Sequence, residues 1–293
     1  MEPLNFRDRE KINYNSARTP VYIRTSHLSD PLYAPGMSAM CHWHEDIEFI
    51  HILSGYMDYS VNGSIYRIET GEGIFVNSRQ LHYGFSPDQS DCCFICIVLN
   101  PLLLCATPHI EQSFITTLTD NKGFPMKLLT PAIPWQNSLI QLLRKTSQIY
   151  EEKEPGYELE LQSLFNRIWL LLYRNMPSSA VAPRNPYSDM TTMKAMIRYI
   201  QTHITTRICL KDIALAGQVC QSRCCTIFRK YLNRTPIEYV TEYRLQEGRR
   251  LLSETDLNVT EIAYRTGFSG ASYFSERFRQ YYHCSPGEYR KLQ

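Results

Sequence analysis

The sequence predicts an α+β protein of two domains: a small N-terminal β-barrel with a helical pair, and an all-α C-terminal domain. Three observations predict it. Residues 20–99 break into short runs of β-branched and aromatic residues separated by turn signals, the pattern of a barrel or jelly roll. Residues 177–189, PSSAVAPRNPYSD, hold three prolines and no hydrophobic period, which marks a linker between domain 1–176 and domain 190–293. The last hundred residues then repeat themselves. Phe228, Tyr231, Pro236, Glu238 and Tyr239 recur fifty positions on as Phe278, Tyr281, Pro286, Glu288 and Tyr289.

The composition agrees with a globular chain, with 43% hydrophobic and 20% charged residues over 293 positions. The net charge of +2 conceals an asymmetry. Residues 190–293 hold 16 Lys/Arg against 9 Asp/Glu, a net +7, and residues 1–189 hold 15 against 20, a net −5. A basic half joined to an acidic half fits a nucleic-acid-binding domain on a partner domain that does not bind nucleic acid. The opening MEPLNFRDRE is charged and has no apolar core, so no signal peptide is expected. No run approaches the ~18 apolar residues of a membrane helix, so a cytoplasmic location is expected. The ten cysteines show no spacing of a disulfide framework and read as free thiols. Cys93 and Cys96 form a CxxC, but in a strand they point to opposite faces, which argues against a redox or zinc motif.

In chain order the predicted strands are VYIRTSHL, IEFIHIL, MDYSV, SIYRI, GIFV and CCFICIVL. Asn62-Gly63, between two alternating runs, is a two-residue hairpin signal. Ahead of and inside IEFIHIL stands a constellation: Gly36, then His42-Trp43-His44, Glu48 and Gly55, with His82 after the Gly71–Leu81 segment. His42, His44 and Glu48 share parity, so an extended chain projects them to one face. The spacing resembles the first motif of the cupin superfamily, and His82 falls where the second motif supplies its histidine; Ser78 replaces that motif's usual proline. The resemblance implies a small barrel that can hold a divalent metal on His42, His44, Glu48 and His82. The competing reading keeps the barrel as a metal-free pocket in which His42, Trp43, His44, Glu48, Tyr56 and His82 contact a small effector. Trp43, Tyr56, Tyr66 and Tyr83 offer apolar bodies with polar tips, suited to sugars and equally to ordinary packing.

Two helices follow, Ser138 to Glu152 and Glu158 to Asn175, the second apolar over more than one face. Past the linker, Leu210, Ile213 and Ala214 mark a supporting helix, and Gln221 to Leu232 a second one with Cys224, Ile227, Phe228 and Tyr231 inward. Pro236 can start a helix of about 18 residues, ~27 Å long. In the second copy Thr260 is expected to cap a short helix, Gly267 to make the turn, and Ser269 to cap a helix carrying Tyr273, Phe274, Phe278 and Tyr281.

From Gly267-Phe268 through Phe278, Pro286 and Tyr289, residues 190–293 resemble the AraC family of bacterial transcription regulators. The resemblance implies two helix-turn-helix units reading double-stranded DNA. Ser222, Cys225 and Thr226, and Ala271, Ser272, Ser275 and Glu276, match its base-facing positions. Arg223, Arg229, Lys230, Arg277 and Arg279 are expected at phosphates. The family also implies an activator more often than a repressor, with RNA polymerase then as partner, a small effector in the barrel, and a homodimer formed through the helices at 138–175. The aromatic residues of the barrel make a sugar or related metabolite the expected effector. Cys220, Cys224 and Gly248 depart from its pattern, and Cys220, in place of a capping serine, implies a less well capped first head. Two rival readings stand beside this one: a metal-dependent cupin enzyme with a DNA-binding tail, and a regulator whose barrel only dimerises.

Overall fold

The computed structural model describes residues 14–15, 19–29, 39–176 and 187–291. The chain divides into two compact units, 8–184 and 185–293. Gly36 and most of the predicted linker, 177–186, lie outside the described residues.

In the first unit eight strands form two antiparallel sheets. They are β1 (Val21–His27), β2 (Ile47–Ser54), β3 (Tyr56–Val61), β4 (Ser64–Glu69), β5 (Gly73–Val76), β6 (His82–Phe85), β7 (Cys93–Leu99) and β8 (Met126–Leu129). One sheet runs β1-β7-β2-β5-β8 and the other β4-β3-β6. Asn62 and Gly63, with φ of 52° and 85°, make the predicted hairpin, because a turn that follows the strand twist needs φ above zero at both residues. β2 is covered on both faces. Ile50 and Ile52 join Met57, Tyr59, Val61 and Ile68 in a core between the sheets, while Ile47 and Phe49 face a second core shared with the helices. β7, CFICIVL, lies beside β2 and is covered likewise, Phe94 in the first core and Ile95, Ile97 and Leu99 in the second, so it is apolar at almost every position and lacks the alternation of a half-exposed strand.

The helix side is supplied by α3 (Pro134–Glu152) and α4 (Tyr157–Asn175), after the short turns α1 (Pro108–Ile110) and α2 (Thr116–Thr119). α3 begins four residues before the expected Ser138, because Pro134 opens its first turn, where a missing N–H costs nothing. α4 buries Leu161, Leu164, Phe165, Ile168, Trp169 and Leu172, and Trp169 Nε1 donates to the Phe114 carbonyl at 3.0 Å. Leu159 and Leu170, three turns apart, remain 79% and 43% exposed. Arg144 of α3 donates through Nε to His51 Nε2 of β2 at 2.9 Å.

The second unit is all helical: α5 (Tyr187–Thr202), α6 (Leu210–Ala216), α7 (Gln221–Leu232), α8 (Pro236–Glu254), α9 (Val259–Arg265), α10 (Ala271–Tyr282) and α11 (Pro286–Lys291). α5 starts at Tyr187, inside the stretch read as linker, so the helical domain begins earlier than residue 190. The repeat now has a physical cause. Thr235 and Glu238 exchange hydrogen bonds of 3.3 and 2.7 Å at the start of α8, and Ser285 and Glu288 do the same at 3.2 and 2.7 Å before α11. Both are capping boxes, with Pro236 and Pro286 at the first helical position. Asn233 and His283, also fifty apart, end α7 and α10 in the left-handed conformation.

Two expected caps are corrected. Asn258, not Thr260, caps α9, through a reciprocal box with Glu261 at 2.9 and 2.8 Å. Ser269 does not cap α10; Gly270 holds the cap position and supplies no side-chain hydrogen bond. Cys220, at the cap of α7, makes no capping bond to the helix backbone either, its Sγ lying 3.1 Å from the Ser222 hydroxyl. Capping therefore does not distinguish the two heads.

Candidate nucleic-acid interface and barrel site

In each head the second helix has one buried stripe and one outward stripe. α7 buries Cys224, Ile227, Phe228 and Tyr231, and α10 buries Phe274 and Phe278. Residues at i, i+3, i+4 and i+7 share the opposite face. On α7 these are Ser222, Cys225, Thr226 and Arg229, and fifty positions later on α10 they are Ser272, Ser275, Glu276 and Arg279. Cys225 and Ser275 are half-buried and the other six exposed. Ala271, also expected at bases, lies outside this stripe and packs partly against the second head's core.

The expected phosphate cations take three placements. Arg229 and Arg279 end the outward stripes. Arg223 and Lys230 instead face α5, where the Asp189 carboxylate takes Arg223 Nη2 at 2.5 Å and Lys230 Nζ at 3.2 Å. Burial works against the charge on Asp189, and the two cations outweigh it and hold its carboxyl below the usual range. Arg277 occupies the position equivalent to buried Ile227. It lines a cleft with Arg234, Glu242 and Tyr281, and its Nη1 donates to Gln280 at 2.8 Å.

The second head is seated on its turn. Gly267 has φ of 80°, which a side chain rarely adopts. A Cβ there would press into the Ile204 carbonyl oxygen and lie 2.8 Å from Arg244 Nη2. Arg244 in turn donates to the Ile204 carbonyl at 3.1 Å and the Thr206 carbonyl at 2.5 Å, so turn, α8 and the α5–α6 loop share one contact.

In the barrel unit, His42, His44, Glu48 and His82 converge, with one ligand atom from each within 4.8 Å of every other. Backbone pairing assembles them: His42 N donates to the His82 carbonyl at 3.1 Å and His82 N returns a bond at 2.9 Å. Ser78, in place of proline, ties its turn to the histidine segment by donating to the Glu45 carbonyl at 2.5 Å. Each imidazole Nδ1 meets a carbonyl, of Met40, Asp46 and Gln80 for His42, His44 and His82, at 2.8, 3.1 and 2.9 Å. A carbonyl only accepts, so Nδ1 carries the proton and a neutral ring turns an Nε2 lone pair inward. Glu48 Oε2 lies 3.3 Å from His44 Nε2 and 3.2 Å from His82 Nε2. Acceptors facing one another in a buried site require a proton or a cation between them. Burial pushes His42 down to about 3, with His82 and His44 adding to it. Burial opposes the charge on Glu48, but a proton carried on Nε2 of His82 or His44 holds its carboxyl well below the ordinary range. The donor set, three imidazoles and a carboxylate with orienting carbonyls behind them, fits a first-row divalent ion.

Tyr56 is not part of this cluster. Val61, at the other end of β3, pairs with His82, whereas the Tyr56 hydroxyl donates to Asp88 at 2.6 Å and its ring stacks under Arg67. The tyrosine at the site is Tyr59, which donates to Glu48 Oε1 at 2.5 Å. Its signal was parity: Tyr59 shares the inward face of Met57 and Val61, while Tyr56, three residues earlier, falls on the opposite face. Trp43 is buried at 7% exposure.

Residues 215–292 match a helix-turn-helix domain and residues 32–98 a cupin domain. The uncharacterized HTH-type transcriptional regulator YdeC of Bacillus subtilis (strain 168) is 31% identical over 254 residues, 86% of each chain. The melibiose operon regulatory protein of Escherichia coli (strain K12) is 24% identical over 264 residues, 88% of this chain and 86% of that one. A solved transcriptional regulator with an AraC-type DNA-binding domain, from Chromobacterium violaceum, is 25% identical, covering 36% of this chain and 95% of that one with a TM-score of 0.35. Among the described residues no helix is long and apolar enough to cross a membrane. Two repeated helix-turn-helix heads behind a cupin barrel, in a chain 31% identical to a transcriptional regulator over 86% of both lengths, place this protein in the AraC family of helix-turn-helix transcriptional regulators.

Proposed function

We propose that the protein is a sequence-specific regulator that reads two patches of duplex DNA from one chain, under control of a ligand held by the barrel. The observation that carries the first part is the pair of outward stripes at matching positions on α7 and α10. The 19 residues of α8 lie between them and span about 28 Å. That length approaches the ~34 Å between successive major-groove faces on one side of a duplex. Ser222, Cys225 and Thr226, and Ser272, Ser275 and Glu276, take the base edges, with Arg229 and Arg279 at the backbone. Footprinting the full chain on a selected operator should give two contacted patches about one turn apart. A single patch that persists when Leu245→Pro breaks α8 overturns the two-headed reading.

The convergence of three inward Nε2 atoms on Glu48 favours a divalent cation as the ligand holder of the barrel. His42, His44, Glu48 and His82 would hold it, and when bound it supplies a Lewis-acid point for an oxygen-bearing effector such as a sugar or related metabolite. The relative named for the melibiose operon supports that class of effector. Metal content and calorimetric titration of the purified chain with Zn²⁺, Ni²⁺ and Mn²⁺ test it. One equivalent is expected, lost in His44→Ala, while the unfolding of the C-terminal unit stays unchanged. A chain that binds none of them leaves the pocket to a metal-free effector. The regulator role leaves catalysis without a task. Exposed Leu159 and Leu170 on α4 suit a second copy of the chain, as a homodimer, and glutamate at both positions should give a monomer in sedimentation. RNA polymerase is the further partner if the sign of regulation is activation.

A further inference from the structure

We propose that Glu276 makes the second head a reader of cytosine, so that the two heads differ in the base they select. The inference rests on the reading of the outward stripe of α10 as the base-facing one. Glu276 is exposed in the middle of that stripe, between Ser272 and Arg279. It has no ion pair among the described residues, and its one hydrogen bond is from Gln280 Nε2 to Oε1 at 3.3 Å. The nearest cation in sequence, Arg277, turns its Nη1 to the Gln280 amide oxygen instead. At the matching position the first head has Thr226, whose hydroxyl donates to the Ser222 carbonyl at 3.0 Å.

An ionised carboxylate only accepts hydrogen bonds. Carried into a groove walled by phosphates, it is repelled unless a base donor meets it. The major groove offers two amino donors, on cytosine N4 and adenine N6. Adenine sets the N7 acceptor beside its amine, which suits an amide and repels a second acceptor. Cytosine presents its amine with no acceptor on the same base edge in that groove. Glu276 therefore selects cytosine over adenine, and against guanine and thymine, whose facing groups are acceptors. Thr226 carries no charge and imposes no such rule, so a cytosine requirement belongs to the α10 patch alone.

The experiment uses the full chain and an operator selected by it from a randomised duplex pool. Each base pair of the α10 patch is then replaced in turn, and affinities are measured for the wild type, Glu276→Ala and Glu276→Gln. Glu276 is exposed, so the variants should melt with the wild type. The wild type should lose roughly 5- to 150-fold at one G·C pair when its cytosine is replaced. Glu276→Ala should become indifferent at that pair and keep its preferences elsewhere, and Glu276→Gln should shift toward adenine there. If Glu276→Ala tightens binding to every operator by one factor, or keeps the wild-type preference at every pair, the assignment is overturned while DNA reading stands. A pool from which the wild type selects no sequence overturns the reading on which the proposal rests.

Discussion

Gly267 and Gly270 stand three residues apart in the turn of the second head, and alanine at the two should have very unequal consequences. At Gly267 the backbone sits at φ 80°, a conformation that costs a side-chain-bearing residue about 1–2 kcal/mol. The added Cβ would also press on the Ile204 carbonyl oxygen and lie 2.8 and 2.9 Å from Arg244 Nη2 and Cζ. Neither can retreat freely, because Arg244 is hydrogen-bonded to that carbonyl and to Thr206. Overpacking of this kind costs about 1–3 kcal/mol. Together the two effects come to roughly 2–5 kcal/mol, and in a helical unit of this size each kcal/mol lowers the melting temperature by about 4–8 °C. At Gly270 the backbone is extended, with φ 174°, and nothing lies within 4 Å of a new Cβ. Alanine there loses only the small advantage of glycine at a cap, under about 1 kcal/mol. Calorimetry of the full chain should show the C-terminal transition falling by about 10 °C or more in Gly267→Ala and by a few degrees in Gly270→Ala. Footprinting should show the α10 patch weakened first in Gly267→Ala, since its turn is what seats that head on α8. Equal melting of the two variants would refute the argument.

Other outcomes follow from the same contacts. Tyr59→Phe removes the hydroxyl that fixes Glu48 Oε1, and Zn²⁺ affinity measured by calorimetry should fall roughly 10- to 100-fold with the fold intact. Arg229→Ala should flatten the salt dependence of operator binding by about one unit on a log–log plot, whereas Arg223→Ala, whose charge already meets Asp189, should leave the slope nearly unchanged. Burial holds His51 below the ordinary histidine value; the Glu72 carbonyl opposes this and Arg144 adds to it. The folded state thus prefers the neutral ring, so as pH falls below about 6.5 the unfolded chain takes up the proton first and the barrel unit loses stability. The drop in its melting temperature between pH 7 and pH 5 should be smaller in His51→Gln, and an unchanged drop would mean that His51 titrates normally.

The sequence by itself determined the elements whose cause lies within a few residues. Runs of β-branched and aromatic residues between turn signals marked β1 to β4, Asn62-Gly63 set the hairpin, and the fifty-residue repeat marked both heads. The histidine motif was legible too, because its spacing is local around β2 and His82 completes a known pattern. Tertiary structure decided the rest. β6, HYGF, contains Gly84 and β8, MKLL, holds no β-branched or aromatic residue, so neither shows the run that marked GIFV of β5; they are strands because β3 and β5 offer edges to pair with. Tyr56 and Tyr59 share a strand on opposite faces, as their spacing shows, but only the pairing of β3 with β6 and its packing on β2 brings the Tyr59 face to Glu48. Arg223, Arg229, Lys230, Arg277 and Arg279 look alike as basic residues on reading helices. Asp189, 34 and 41 residues before Arg223 and Lys230, withdraws those two, and the cleft beside α8 takes Arg277. A local pattern records which face of a helix is buried, because burial repeats with the helical turn. It does not record which distant charge comes to rest against the other face, because that depends on how the helices pack.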